Sequence, residues 1–91
     1  MKVRYTTRAA SDRDKIFDFL VSRSEQAARK VVGLITQRID ELGDNPEKGA
    51  KTTKPSLYTL WVAPYPYRIF YRIEAGEVVI IQIRHTSRRP L

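Results

Sequence analysis

Apolar and polar residues along this 91-residue chain follow two different periods, and the change between them separates a helical part from a β-rich part. In Lys2 to Thr6, Val3 and Tyr5 alternate with Lys2, Arg4 and Thr6, which predicts a short strand. Ile16, Phe17, Phe19 and Leu20 then form the apolar stripe of a helix. It is expected to start at Ser11 or Asp12, both good N-caps, to carry Asp14 in its first turn and to end near Ser22 or Arg23. Ser24 reads as a second N-cap, with Glu25 suited to the positive end of the helix dipole. Beyond it Ala28, Val31, Val32, Ile35, Ile39 and Leu42 recur at three- and four-residue spacing, and Gly43 followed by Pro46 signals the stop. Two amphipathic helices joined by so short a turn predict a helical hairpin.

Residues 43–56 are polar and carry Gly43, Asn45, Pro46, Gly49 and Pro55, so a long loop presenting Lys48, Lys51 and Lys54 is expected. Strands follow at Leu57 to Ala63, Tyr67 to Glu74 and Val78 to Arg84, with Pro64 and Pro66 interrupting and Ala75-Gly76-Glu77 turning the chain. The order strand, helix, helix, three strands predicts an α+β fold: a helical hairpin on one face of a mostly antiparallel four-stranded sheet. At this length residues 1–91 make one domain with a small core, one that gains from a partner.

Alternation carries the last hairpin further. Tyr67, Ile69, Tyr71 and Ile73 share one face of their strand, and Arg68, Phe70, Arg72 and Glu74 share the other. In the final strand Val79, Ile81 and Ile83 form the more apolar face. Turning both apolar faces to the helices requires pairing of equal parity, which a three-residue turn at 75–77 supplies, setting Tyr71 opposite Ile81 and Ile69 opposite Ile83. That register places Arg68 directly across from Arg84 on the other face, where like charges cost about 0.2–1 kcal/mol. Such a pair has a use if an anion belongs there. Arg72 enlarges the patch, and Arg4 does so if the first strand joins the sheet.

Charge sharpens this picture. The formal net charge is +7, which draws the chain toward nucleic acid or an acidic protein. From Pro55 onward the cations are five arginines and no lysine, set against Glu74 and Glu77, a composition suited to bidentate contacts with phosphate or carboxylate. Arg84-His85-Thr86-Ser87-Arg88-Arg89 is the densest cationic stretch and holds the sole histidine. His85 is a candidate acid–base group near neutral pH, although alternation aims it at the helix side, where it would pack. Among the aromatics Trp61, Tyr65, Tyr67, Phe70 and Tyr71, most are expected to pack in the core or hairpin; Phe70 shares the arginine face and is a candidate for stacking on a base.

Several classes are set aside. Without cysteine there is no disulfide framework, thiolate zinc site or cysteine nucleophile. No metal-ligand cluster, phosphate-binding glycine loop, nucleophile elbow or dinucleotide fingerprint occurs, so no cofactor and no metal are expected. No apolar run reaches signal-peptide or membrane-span length, so a cytoplasmic protein without a membrane partner is expected.

Four features together resemble the RelE/ParE superfamily of toxins across nearly the whole chain: the element order; Leu42, Pro46 and Gly49; Tyr67-Arg68-Ile69-Phe70-Tyr71-Arg72; and Val79-Ile80-Ile81-Gln82-Ile83-Arg84-His85 with Arg88 following. The resemblance implies the toxin of a type II toxin–antitoxin pair, held silent in a hetero-oligomer by a cognate antitoxin whose amphipathic segment folds on an apolar groove beside the helical hairpin. It leaves two targets open. A ParE-like toxin poisons DNA gyrase by binding, with Arg68, Arg72, Arg84, Arg88 and Arg89 as contacts. A RelE-like toxin cleaves ribosome-bound mRNA, with Arg68, His85 and Arg88 as catalytic candidates. The absence of any tyrosine after Tyr71, where several RelE-like members carry one, favours the ParE-like branch. A third reading, a non-toxic basic nucleic-acid-binding domain, lacks the usual recognition signatures and ranks last.

Overall fold

The computed structural model describes residues 1–87. Its elements are β1 (Lys2–Tyr5), α1 (Thr7–Val21), α2 (Glu25–Asp44), β2 (Ala50–Lys51), β3 (Leu57–Trp61), β4 (Tyr67–Glu74) and β5 (Glu77–His85). The sheet runs β1-β5-β4-β3-β2, with β1 parallel to β5 and every other pairing antiparallel. The expected α+β architecture is present with five strands rather than four. The extra one is the two-residue β2, which pairs Ala50 with Thr59 and Lys51 with Tyr58 inside the expected loop. Two residues of ladder hydrogen bonding leave no hydrophobic alternation for a pattern to reveal.

Helix α1 is capped five or six residues before the expected position. Thr6, not Ser11 or Asp12, is the N-cap: its hydroxyl accepts from Ala9 N–H at 3.1 Å. The same hydroxyl lies 2.8 Å from the Ile80 carbonyl, and Thr6 N–H donates to that carbonyl at 3.0 Å. The end of the β1–β5 ladder therefore doubles as the start of the helix. Asp12, freed from capping, sits within the helix, pairs with Arg8 at 3.3 Å and accepts from the Ile83 N–H of β5 at 3.0 Å. Helix α2 begins on Ser24 as expected, whose side chain accepts from Ala27 N–H. It runs through Gly43 to Asp44, so Gly43 is not the stop. Glycine is needed there for space instead, since a Cβ would lie 2.8 Å from the Met1 carbonyl and 3.2 Å from Val3 Cγ2.

Ile35, Ile39 and Leu42 of α2 are fully buried, with Val31 nearly so, against Tyr67, Ile69, Tyr71, Val78, Ile80 and Ile83 of the sheet. Each such aliphatic side chain contributes about 1.5–3 kcal/mol by leaving water. Both helices lie on this face. Val3, Tyr5, Ile16, Leu20 and Leu34 close its rim, and Arg13 stacks over the Tyr5 ring at 4.9 Å.

The β4–β5 hairpin corrects the expected register in one half and keeps it in the other. The turn is the two-residue Ala75-Gly76, both at positive φ (48° and 75°), as a type I′ connection requires, and Glu74 pairs with Glu77. That turn sets Tyr71 opposite Ile80, not Ile81, and makes Val78 and Ile80 the core-facing pair in place of Val79 and Ile81. A bulge between Phe70 and Tyr71 then takes up one extra residue of β5, after which Ile69 meets Ile83 and Arg68 meets Arg84.

Gly33 is the one glycine within a helix for which the fold has no evident use. It is exposed in the middle of α2, and a Cβ there meets nothing within 4 Å. Gly33→Ala is expected to stabilise the chain by about 0.5–1 kcal/mol. A thermal melt should then rise by several degrees; an unchanged or lower midpoint would mean the site is not the open helix surface described.

Candidate anion-binding face of the sheet

The face of the sheet away from the helices carries no covering layer, and the ladder arranges its side chains in rows. Strand pairing sets Arg84, Arg68 and Trp61 in one row across β5, β4 and β3. The neighbouring row holds Gln82, Phe70 and Thr59, and beyond the bulge a third holds Arg4, Val79, Arg72 and Leu57. At the turn end lie Lys2, Glu77 and Glu74. The face is thus graded, with acid near the Ala75-Gly76 turn and a cationic pair at the far end.

Its arginines differ in what holds them. Arg4 pairs with Glu77 at 3.5 Å, and Arg72 donates to the Pro55 carbonyl at 3.4 Å, so both are tied to the fold. Arg68 is exposed and makes no ion pair or ring contact among the described residues. Arg84 is half-buried beside it. Phe70 is half-buried on the same face, as alternation indicated. Arg88 and Arg89, the remaining contact candidates, lie outside the described residues.

His85 is placed elsewhere. β5 extends far enough to pair it with Tyr67, whose buried ring it meets edge-on at 5.2 Å, on the helix side of the sheet. Its Nδ1 lies 2.7 Å from the Ser87 hydroxyl and accepts from Ser87 N–H at 3.2 Å. The structure therefore brings Arg68, Arg84, Phe70 and Arg72 onto one surface and sets His85 across the sheet from them.

Trp61 is the residue that sequence reasoning misassigned. Grouped with the packing aromatics, it is instead 53% exposed and directly opposite Arg68. Its indole Nε1–H donates to the Tyr65 carbonyl at 2.8 Å, which fixes an otherwise open ring. The signal was present: a strand starting at Leu57 and pairing with β4 gives Leu57, Thr59 and Trp61 the same parity as Arg72, Phe70 and Arg68.

Behind this face Tyr71 fastens the 45–49 segment. Its buried hydroxyl donates to the Pro46 carbonyl at 2.7 Å and accepts from Gly49 N–H at 3.0 Å, while its ring stacks on Tyr58 at 5.3 Å. Burial pushes the phenol above its ordinary value, so it remains a neutral clamp. On the outer side of the hairpin a groove of about 660 Å³ runs between the helices, floored by Phe17, Val32 and Gly33 and flanked by Arg29, Asp40 and Asp44. No described helix is long and apolar enough to cross a membrane, and the described residues include no group of three potential metal ligands.

A helical hairpin packed on one side of a mostly antiparallel sheet is the fold of the RelE/ParE superfamily of toxins. The chain belongs to the family of ParE toxins of type II toxin–antitoxin systems, whose model matches residues 3–90. A relative is toxin RelE2 of Caulobacter vibrioides, 36% identical over 87 residues and covering 96% of this chain and 97% of its own. Among solved structures, a chain of the chromosomal ParDE system of P. aeruginosa superposes with a TM-score of 0.85 at 27% identity, over 96% of this chain and 97% of that one. The E. coli RelBE toxin–antitoxin complex shares the fold at a TM-score of 0.68 and 15% identity, over 96% and 98% of the two chains.

Proposed function

We propose that this chain arrests growth by binding and poisoning DNA gyrase, and that a cognate antitoxin silences it in a hetero-oligomer. The observation that carries the reading is the separation of His85 from the arginine face. Arg68 and Arg84 can hold an anionic or carboxylate-rich surface, yet the one imidazole lies across the sheet against Tyr67 and Ser87. Tyr58, Tyr67 and Tyr71 also turn toward the core, so the cationic end of the described open face offers binding groups without an imidazole or phenol beside them, and its carboxylates, Glu74 and Glu77, lie at the opposite, turn end. Membership of the ParE family and the likeness to a ParDE chain point the same way. Arg68, Arg72 and Arg84 are then target contacts, with Arg88 and Arg89 extending them. The groove beside Phe17, Val32 and Gly33 is the seat for an amphipathic antitoxin segment.

The competing reading, mRNA cleavage with Arg68 and Arg88 on the phosphate and His85 as the acid–base group, has the name of the RelE2 relative in its favour. Inducible expression in bacteria, with and without the adjacent open reading frame, separates them. Gyrase poisoning is expected to give filamentation and a DNA-damage response with transcripts intact, and purified protein should block supercoiling. Rapid transcript cleavage with normal supercoiling would overturn it in favour of the ribonuclease.

A further inference from the structure

Three residues of helix α2 work against the helix itself, and all three fall on one stripe. Gly33 weakens a helix interior, and here it is exposed with nothing within 4 Å of the place a Cβ would take. Asp40 and Asp44 are like charges four residues apart. Asp44 also ends the helix, where the dipole is negative and the last turn holds no basic residue to offset it. Both aspartates are exposed, and neither enters an ion pair among the described residues. Positions 33, 40 and 44 stand at i, i+7 and i+11, the spacing of a single helix face. That face lines the groove between α1 and α2, with Phe17 and Val32 half-buried beside the glycine. Departures from local preference that gather on one surface belong to the use of that surface rather than to the fold.

We infer, resting on the antitoxin reading of this groove, that Gly33, Asp40 and Asp44 determine which antitoxin the chain accepts. The bare backbone at Gly33 is the point of closest approach for a helix of the antitoxin, and basic side chains of that helix lie over the two aspartates. Only hydrogen stands at Gly33, so a helix crossing there comes nearer to α2 than any side chain would allow. The floor favours a helix over an extended segment. Phe17, Val32 and Gly33 offer no polar side-chain group, and Thr36 already donates its hydroxyl to the Val32 carbonyl at 2.9 Å, whereas a helix pairs its own peptide groups. The basic residues belong two and three turns from the one seated on Gly33, roughly 10 and 16 Å along the helix at about 1.5 Å per residue. A second copy of this chain is a poor match, since it brings the same aspartates and its own charge of +7. Arg29, at the other end of the groove, is already held by Glu25 at 3.0 Å. Polyanions are repelled by the aspartate pair.

Binding of the full chain to the protein encoded by the adjacent open reading frame is measured by surface plasmon resonance, alongside the thermal midpoint and sedimentation of the free chain. Gly33→Leu is expected to melt no lower than the parent, because helix propensity improves and nothing is displaced. It should nevertheless weaken antitoxin binding by roughly 5- to 150-fold, the range for overpacking one contact. Gly33→Ala should move binding the same way by a smaller factor. Asp40→Asn combined with Asp44→Asn should slow association and flatten its dependence on salt. Gly33→Leu binding as tightly as the parent, or unchanged or faster association of the double asparagine variant, overturns the stripe and leaves the antitoxin reading standing. Faster association would mean that the contact over the aspartates is acidic. No binding by the parent chain retires the stripe and the antitoxin reading together. A free parent chain that sediments as a dimer, and as a monomer once Gly33→Leu is made, gives the groove to a second copy and overturns the assignment.

Discussion

Arg68→Glu is expected to make the protein more stable and to disarm it. In the ladder Arg68 stands directly opposite Arg84, so the substitution turns a like-charged cross-strand pair into an opposite-charged one. Removing the repulsion and adding an attraction should together contribute about 0.5–1 kcal/mol. In a domain of this size that moves a thermal midpoint upward by several degrees. The same change reverses the charge at the centre of the proposed target surface. If the target is anionic, the loss should reach at least about 2 kcal/mol, or some 30-fold in the concentration that inhibits gyrase. Antitoxin binding, assigned to the groove across the molecule at Phe17, Val32 and Gly33, should hold. Melting, supercoiling inhibition and antitoxin capture are measured on one preparation. A rise in stability with inhibition unchanged would place the target surface elsewhere. A fall in stability would mean that Arg68 serves the fold and that no repulsion is stored in the pair.

Gly49→Ala is expected to cost more than any other exchange of a glycine for alanine outside a helix. The added Cβ would lie 2.6 Å from the Tyr71 hydroxyl and 2.8 Å from the Thr59 carbonyl, distances no carbon tolerates. Relief requires the 45–49 segment to move, which breaks the bonds from Gly49 N–H to Tyr71 and from Tyr71 to the Pro46 carbonyl. Overpacking of about 1–3 kcal/mol and a lost hydrogen bond of about 1 kcal/mol together take a large share of a small domain's stability. Tyr71→Phe removes the hydroxyl and should cost about 1–3 kcal/mol by leaving the Pro46 carbonyl and Gly49 N–H without it. The two changes should not add. With the hydroxyl gone one obstruction disappears, so Gly49→Ala in the Tyr71→Phe background should cost less than in the parent, while the Thr59 carbonyl keeps it from becoming neutral. Urea unfolding of the four chains reads the coupling; strict additivity would show that Tyr71 and Gly49 do not meet as described.

These two predictions differ in how far the sequence alone supports them. The opposition of Arg68 and Arg84 follows from the chain, because a two-residue period leaves few ways to bury Tyr67, Ile69 and Tyr71 together with the apolar side of β5. The expected three-residue turn is absent, however, and the opposition holds because two departures from the expected register cancel. A tight Ala75-Gly76 turn shifts the pairing by one residue and the bulge at Phe70/Tyr71 shifts it back. Both devices answer to strand twist, which no pattern of apolar positions records. The contact between Gly49 and Tyr71 spans 22 positions and carries no periodic signal.

The sequence by itself determined the two helices, the face that α2 buries, the β hairpin and the arginine face with Phe70 on it, since each rests on local spacing; the family entered through resemblance to known toxins. Tertiary structure decided the rest. Thr6 caps α1 in place of Ser11 or Asp12 because its hydroxyl also meets the Ile80 carbonyl of β5, 74 residues away. Asp12 turns instead to the Ile83 N–H. Trp61 reaches the surface because β3 pairs β4 in the register that sets it opposite Arg68, and His85 lies on the helix side, where alternation aims it, because β5 continues one residue past Arg84 to pair it with Tyr67. In each case a side chain with two chemically acceptable places took the one set by a distant strand. Hydrogen bonding and register are satisfied across the whole sheet, and no single segment carries that information.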